Sequence, residues 1–115
     1  MRTLLLGVVA FAFSTSLAFA DDVMASRYGN TTIATDDKGM VTKLHYAADG
    51  TFTGTQGTQP FSGTWKIDPP GTICLVFPQK VDGMTSPFCA PVVAHKVGDK
   101  WSAAGRSLTL VQGIQ

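Results

Sequence analysis

The chain has 115 residues and a formal net charge of +1 at pH 7, a length that suits one domain with a small core. A chain with so little net charge lacks the excess of positive charge that is typical of proteins that bind nucleic acids or anionic membrane surfaces. All of its acidic residues are aspartates. Because aspartate favours turns and caps whereas glutamate favours helices, the composition does not predict helical structure.

Residues 1–20 have the three-part layout of a secretory signal peptide. A positive charge at Arg2 precedes the apolar run Leu4–Phe13, and Ala18-Phe19-Ala20 places small side chains where a signal peptidase requires them. The apolar run has about ten residues, whereas a membrane-spanning helix needs about twenty. We expect cleavage before Asp21, which leaves residues 21–115 as one mature domain.

The region around the expected cleavage position also argues against a stable membrane anchor. No cysteine lies near it to carry a lipid, and Arg2 is not part of the arginine pair that the twin-arginine route uses. The expected product is a soluble monomer in the periplasm or outside the cell.

The two cysteines, Cys74 and Cys89, both lie in the exported part of the chain. An oxidising compartment favours a disulfide between them. It would close a loop of about sixteen residues and stabilise the domain by roughly 3 kcal/mol. Metal ligation or a redox couple is the alternative, although neither cysteine belongs to a Cys-x-x-Cys pair.

After the signal peptide, turn signals recur about every ten residues, which is typical of strands joined by hairpins. The segments between them are rich in β-branched and aromatic residues. The region from Asp21 to Tyr28 is predicted to be a turn or an edge. The predicted strands are Thr31–Thr35, Val41–Ala47, Thr51–Thr55, Phe61–Ile67, Thr72–Phe77, Val92–Val97, Trp101–Ala103 and Leu108–Val111.

Two of these strands alternate clearly between apolar and polar residues. Leu44 and Tyr46 share one face of the second strand, while Phe61, Trp65 and Ile67 share one face of the fourth. The dipeptide Asp49-Gly50 between the second and third strands predicts a two-residue type I′ hairpin. The whole pattern predicts an all-β, antiparallel up-and-down meander of seven or eight short strands that forms a small barrel or half-barrel.

Several stretches resemble a group of small uncharacterised secreted proteins of Gram-negative, chiefly alphaproteobacterial, bacteria. The resemblance spans most of the mature chain and implies a fold and a periplasmic location. Because its motifs are turn and core residues, it implies no activity and no catalytic residues. The stretches are Tyr46-Ala47-Ala48-Asp49-Gly50-Thr51-Phe52, Gly63-Thr64-Trp65, Cys74, Cys89 and Val97-Gly98-Asp99-Lys100-Trp101.

Residues that could support catalysis or metal binding are sparse. His45 and His95 are the only histidines, and two ligands do not complete a structural zinc site. Both are predicted to be ordinary surface residues, with weak metal binding as an alternative if their strands are neighbours. No serine lies in a Gly-x-Ser-x-Gly elbow. We expect neither an enzyme nor a cofactor.

Two regions are candidates for binding. The loop between the cysteines carries Val81, Met84 and Phe88 as apolar points for a protein partner, although a long hairpin connection stapled only for stability is the simpler explanation. Trp65 and Trp101 could line a ligand cavity at the barrel mouth or could simply fill the core.

These observations favour a non-enzymatic periplasmic domain that binds an unknown protein or a small apolar ligand. Small lipocalin-like protease inhibitors offer an architectural analogy. The alternatives are a structural or envelope-stress protein without a discrete site, and a weak metal binder through His45 and His95.

The signal peptide can be tested by the intact mass of the exported protein. Because Ala18-Phe19-Ala20 supplies the residues that the peptidase requires, the mature chain should begin at Asp21. An exported product that retains Met1, or that partitions entirely with membranes, would contradict this prediction.

Overall fold

The computed structural model describes residues 23–115, so the predicted signal peptide lies outside the described residues. A short 3₁₀ helix, Ala25–Arg27, replaces the turn or edge expected in this region and precedes eight strands. The strands are β1 (Thr31–Thr35), β2 (Val41–Tyr46), β3 (Thr51–Gln56), β4 (Gln59–Asp68), β5 (Thr72–Val76), β6 (Phe88–Pro91), β7 (Lys100–Ala103) and β8 (Arg106–Val111).

The strands form one antiparallel sheet in the order β6-β5-β4-β3-β2-β1-β8-β7. Consecutive strands pair as hairpins from β1 to β6 and again from β7 to β8. The pairing of β1 with β8, from Thr31↔Val111 to Thr35↔Ser107, brings the two ends of the meander together. The result is a nearly closed barrel with a seam between β6 and β7, which confirms the predicted all-β meander.

The inward face of these strands is the one that the alternation of apolar and polar residues predicts. Leu44 and Tyr46 of β2 are buried, as are Phe61 and Trp65 of β4. These side chains join one apolar cluster in the barrel, because only one face of a half-buried strand can reach the interior. The cluster comprises Met24, Leu44, Tyr46, Phe52, Phe61, Trp65, Ile73, Leu75, Phe77, Val81, Met84 and Val92.

The predicted strand Val92–Val97 is wrong. The strand that pairs with β5 lies earlier, at Phe88–Pro91, and places Cys89 directly opposite Cys74. The segment 92–97 is irregular, with Val93 and Val97 exposed by 61% and 44%. Its β-branched residues suit a strand, but propensity is a weak preference that tertiary pairing overrides.

The hairpin at Asp49-Gly50 is confirmed, but its predicted turn type is wrong. Gly50 has a φ of 89°, whereas Asp49 is not among the residues with positive φ. The Gly50 N–H donates to the Ala47 carbonyl, and the Ala47 N–H donates to the Thr51 carbonyl. This is a three-residue connection with glycine in the left-handed position, the commonest alternative to a two-residue hairpin.

The predicted disulfide between Cys74 and Cys89 is present and joins β5 to β6. Strand β6 has four residues and pairs only with β5 among the described strands. A short edge strand with one hydrogen-bonded neighbour is prone to fray. The bridge therefore holds β6 in register at the seam. No helix in the described residues is long and apolar enough to cross a membrane.

Reduction of the disulfide should lower the melting temperature markedly. Loss of such a bridge from a small domain costs roughly 2–5 kcal/mol. Thermal unfolding with and without reductant measures the change. If the oxidised protein releases two titratable thiols on unfolding, the bridge does not exist and the prediction fails.

Strand β4 approaches β5 unusually closely at Gly63. A Cβ atom there would lie 1.8 Å from the Val76 carbonyl oxygen, a main-chain atom that cannot rotate away. Glycine is therefore required by the close approach of two backbones. Gly71 provides a matched comparison, since its Cβ would meet the Val92 carbonyl oxygen at 3.4 Å.

Gly63→Ala should destabilise the fold by about 1–3 kcal/mol, because β4 and β5 must separate to admit the methyl group. Gly71→Ala should change stability by less than about 0.5 kcal/mol. Denaturant unfolding of both variants provides the comparison. Equal stabilities would show that the two strands can move apart without cost.

Candidate functional site

The barrel contains a cavity of about 70 Å³ on the side of the seam. Both edge strands contribute to its wall, β6 through Phe88 and Ala90, and β7 through Trp101 and Ala103. These two strands are not hydrogen-bonded to each other. The cavity therefore lies where main-chain pairing does not close the barrel.

The distribution of aromatic side chains explains why the cavity lies on the seam side of the barrel. Phe52, Phe61 and Phe77 fill the opposite half, with edge-to-face ring contacts at centroid distances of 5.6–6.5 Å. Alanines supply much of the wall near the seam, and short side chains leave interior volume unfilled. The alanines of the wall are Ala34, Ala90, Ala103 and Ala104.

The wall is mainly apolar but carries two arginines and two threonines. They are Arg27, Thr32, Thr42 and Arg106, and the described part of the chain contributes no carboxylate to it. The cavity thus combines a hydrophobic surface with a net positive charge. An apolar pocket with a few convergent polar groups is the usual form of a small-molecule site.

Arg27 ends the 3₁₀ helix and is only 4% exposed. Its guanidinium donates to the carbonyls of Val23 at 2.7 Å and Val93 at 3.2 Å, and lies 5.6 Å from the centre of the Trp101 ring. Burial lowers the pKa of Arg27, because desolvation disfavours the charged form, while electrostatic interaction with Tyr46 acts in the opposite direction. Burial likewise raises the pKa of Tyr46 to about 12, so its phenol is neutral at pH 7.

Arg106 occupies a more open position in the same wall. Its guanidinium donates to the carbonyls of Ala104 and Gly83 at 3.0 and 3.1 Å and lies over the Phe88 ring at 5.1 Å. Arg106 also contributes to lowering the pKa of Asp36, after the larger effect of the Met40 and Lys38 N–H groups. Arg106 thus connects β8 to Gly83 of the inter-cysteine loop and to Phe88 of β6.

The two tryptophans have different roles. Trp65 is a core residue whose indole N–H donates to the Ala47 carbonyl at 2.9 Å, and it does not line the cavity. Trp101 is half-buried and does line it. Of the two possible roles, lining the cavity matches the location of Trp101, and filling the core matches that of Trp65 on the inward face of β4.

His95 is not the ordinary surface residue that its neighbourhood in the sequence predicts. Its ring stacks on Trp101 with a centroid distance of 3.6 Å, and Nδ1 lies 3.2 Å from the Asp99 carboxylate. The Ser26 hydroxyl donates to its carbonyl. The pKa of Asp99 is lowered, first by the Lys96 N–H and to a lesser extent by His95. Through this stacking contact, His95 holds the irregular segment 92–97 against the Trp101 ring.

His45 is half-buried on β2, with its Nε2 atom buried and without a hydrogen-bond partner. Within residues 23–115, no group of three or more histidine, cysteine or acidic side chains is placed to hold a metal ion. The described geometry thus adds nothing to the alternative of a metal site at His45 and His95.

The loop between the cysteines does not present all of its apolar residues to a partner. Val81 and Met84 are 4% and 8% exposed and belong to the core cluster, while Phe88 is half-buried in the cavity wall. Their expected role as exposed contact points is therefore corrected. A small barrel has few residues that can close the ends of its core. In this protein, the loop contributes Val81 and Met84 to that closure.

Hydrogen bonds hold the loop against the barrel. The Gln56 side chain donates to the Asp82 carbonyl at 2.6 Å, and that of Gln59 donates to the Lys80 carbonyl at 2.8 Å. The turn of the loop is closed by the Met84 N–H and the Val81 carbonyl. The loop is thus a fixed part of the fold, and both glutamines come from the polar β3–β4 hairpin.

Sequence reasoning missed Arg27, Thr32 and Arg106. The alternation of β1 does place Thr32 on the same face as the buried Ala34, so a polar residue on an inward face was a usable signal. Arg27 and Arg106 gave no such signal, since one precedes the first strand and the other follows a turn. No protein-family model and no curated protein matches this chain.

Val81→Ala should destabilise the protein by about 1–3 kcal/mol, because it leaves a hole in the core. Val93→Ala, the same change at an exposed position, should alter stability by less than about 0.5 kcal/mol. Chemical unfolding measures both variants. If they were equally stable, Val81 would have to be exposed in solution and the loop would again be available to a partner.

Proposed function

We propose that this protein is a non-enzymatic, exported binding module that takes a small and largely apolar ligand into the cavity beneath the β6–β7 seam. The observation that carries the proposal is a mainly apolar cavity at the seam, where the described strands of the barrel lack main-chain pairing. Solvent and ligand can reach an interior at such a gap without unfolding of the sheet. We further propose that the protein acts as a monomer without a cofactor.

Two features support export to an oxidising compartment. The Cys74–Cys89 bridge fits an oxidising environment such as the periplasm, and residues 1–20 have the pattern of a cleavable signal. A periplasmic location also agrees with the resemblance to small secreted proteins of Gram-negative bacteria.

The cavity supports a small ligand better than the loop supports a protein partner. Val81 and Met84 are committed to the core, whereas the cavity wall has apolar area that no side chain covers. Burial of apolar surface contributes about 25 cal/mol per Å². A ligand that covers this wall therefore has a favourable driving force, which a partner on the loop would lack.

The neutral fluorescent probe N-phenyl-1-naphthylamine tests the proposal, with part of the probe in the cavity of about 70 Å³ and the rest extending through the seam. We expect its emission to rise on binding to the oxidised protein, with chemical-shift changes in ¹H–¹⁵N spectra confined to the cavity wall. Ala103→Phe should abolish the rise, because the larger side chain fills the cavity. Ala48→Phe, the same change at an exposed turn position, should retain it.

Circular dichroism must show that both variants keep the sheet. Binding that survives in folded Ala103→Phe would place the ligand elsewhere and contradict the proposal. Failure of the wild-type protein to bind the probe would favour the alternative of a structural or envelope-stress protein without a discrete site. A rise in melting temperature with divalent metals alone would favour the His45 and His95 alternative.

A further inference from the structure

Arg27 is a buried cation for which the described residues provide no anion. The side-chain ion pairs of residues 23–115 join Lys66 to Asp68 and His95 to Asp99, and neither includes Arg27. Its hydrogen bonds go to the neutral carbonyls of Val23 and Val93. A guanidinium carries five N–H donors in a planar fork that matches a carboxylate.

Thr32 is the second unusual polar group of the cavity. It is 3% exposed, and its Oγ1 atom is buried without a hydrogen-bond partner among the described residues. A buried hydroxyl with no partner is costly, and such groups are rare unless a bound molecule satisfies them. Thr32 lines the cavity, so a rotation about its χ1 angle would turn the hydroxyl toward a molecule there.

The two groups line the same cavity. Thr32 is paired with Leu44 across β1 and β2, and Tyr46 follows Leu44 on the same inward face, about 7 Å along the strand. Leu44 and Tyr46 line the cavity as well. Arg27 and Thr32 are thus parts of one wall.

We propose that the ligand is an amphipathic carboxylate, such as a fatty acid, whose head group binds Arg27 and the Thr32 hydroxyl while its chain lies along the apolar wall and leaves through the seam, since the cavity of about 70 Å³ can enclose only part of it. This inference rests on the proposed function and specifies the class of ligand. Charge complementarity supports it, because the wall contains two cations and no described carboxylate. A cationic amphiphile would meet repulsion there, and a neutral one would leave Arg27 without an anion.

The test compares three ligands of equal chain length, namely decanoate, 1-decanol and decyltrimethylammonium, by displacement of N-phenyl-1-naphthylamine below their micelle concentrations. We expect decanoate to bind at least about tenfold more tightly than decanol, because a charge-assisted hydrogen-bonded pair is stronger than a neutral one. Decyltrimethylammonium should bind least well. Acetate should not displace the probe, since it has no chain to cover the wall.

Arg27→Gln should reduce the preference for decanoate over decanol to within about threefold. Lys100→Gln removes the same charge at an exposed position of β7 outside the cavity wall and should keep the preference. Thr32→Val replaces the hydroxyl by a methyl group of similar shape, so it should not lower the melting temperature. It should nevertheless weaken decanoate binding several-fold.

The outcomes separate the inference from the proposed function. Equal binding of decanoate and decanol would overturn the carboxylate assignment and leave the apolar site in place. Displacement by none of the three would overturn both. If Arg106→Gln, rather than Arg27→Gln, removes the preference, the head group lies at the rim and the assignment to Arg27 is wrong. Should Arg27→Gln not fold, Thr32→Val decides, because unchanged decanoate affinity in that variant would contradict the proposed head-group site.

Discussion

The antiparallel pairing of β1 with β8 is the contact on which the rest of the structure depends. It joins strands from opposite ends of the described chain, from Thr31↔Val111 to Thr35↔Ser107. Without it the first six strands would be an open sheet, and the β7–β8 hairpin would not be hydrogen-bonded to them. With it the sheet curves until β6 and β7 border the same seam, and no main-chain pairing between these two described strands closes it. Arg106 lies over Phe88 there, and the short edge strand β6 is held by the disulfide.

The incomplete closure explains how a domain of this size can keep interior space. Large aromatic rings fill the half of the barrel formed around β3 and β4, whereas alanines line the half near the seam. The ends are sealed by segments outside the sheet, with Met24 and Val81 both contributing to the core. Segments that look like loops in the sequence are thereby structural, because a small barrel cannot bury enough apolar surface with strands alone.

The polar groups in the cavity oppose the general preference for an apolar interior. Burial of Arg27 and an unpartnered Thr32 hydroxyl both cost stability. Departures of this kind from the rules of a stable interior occur most often at functional sites. The stacked pair of His95 and Trp101 supports Arg27 from the neighbouring segment, so the guanidinium is held in place.

Local sequence patterns determined the strands of this protein, with the exception of the sixth, and the cysteine pair. Alternation over Val41–Tyr46 and Gln59–Asp68 identifies the buried faces because the side-chain period of a strand is two. The position of β6, the burial of Val81 and Met84, and the presence of Arg27 and Thr32 in the wall of one cavity were decided only by the tertiary structure. Each depends on contacts between residues far apart in the chain: the β5–β6 register, the fold of the loop onto the core, and the closure of β1 on β8. Local propensity carries no information about contacts between residues so far apart in the chain. Those contacts create the cavity.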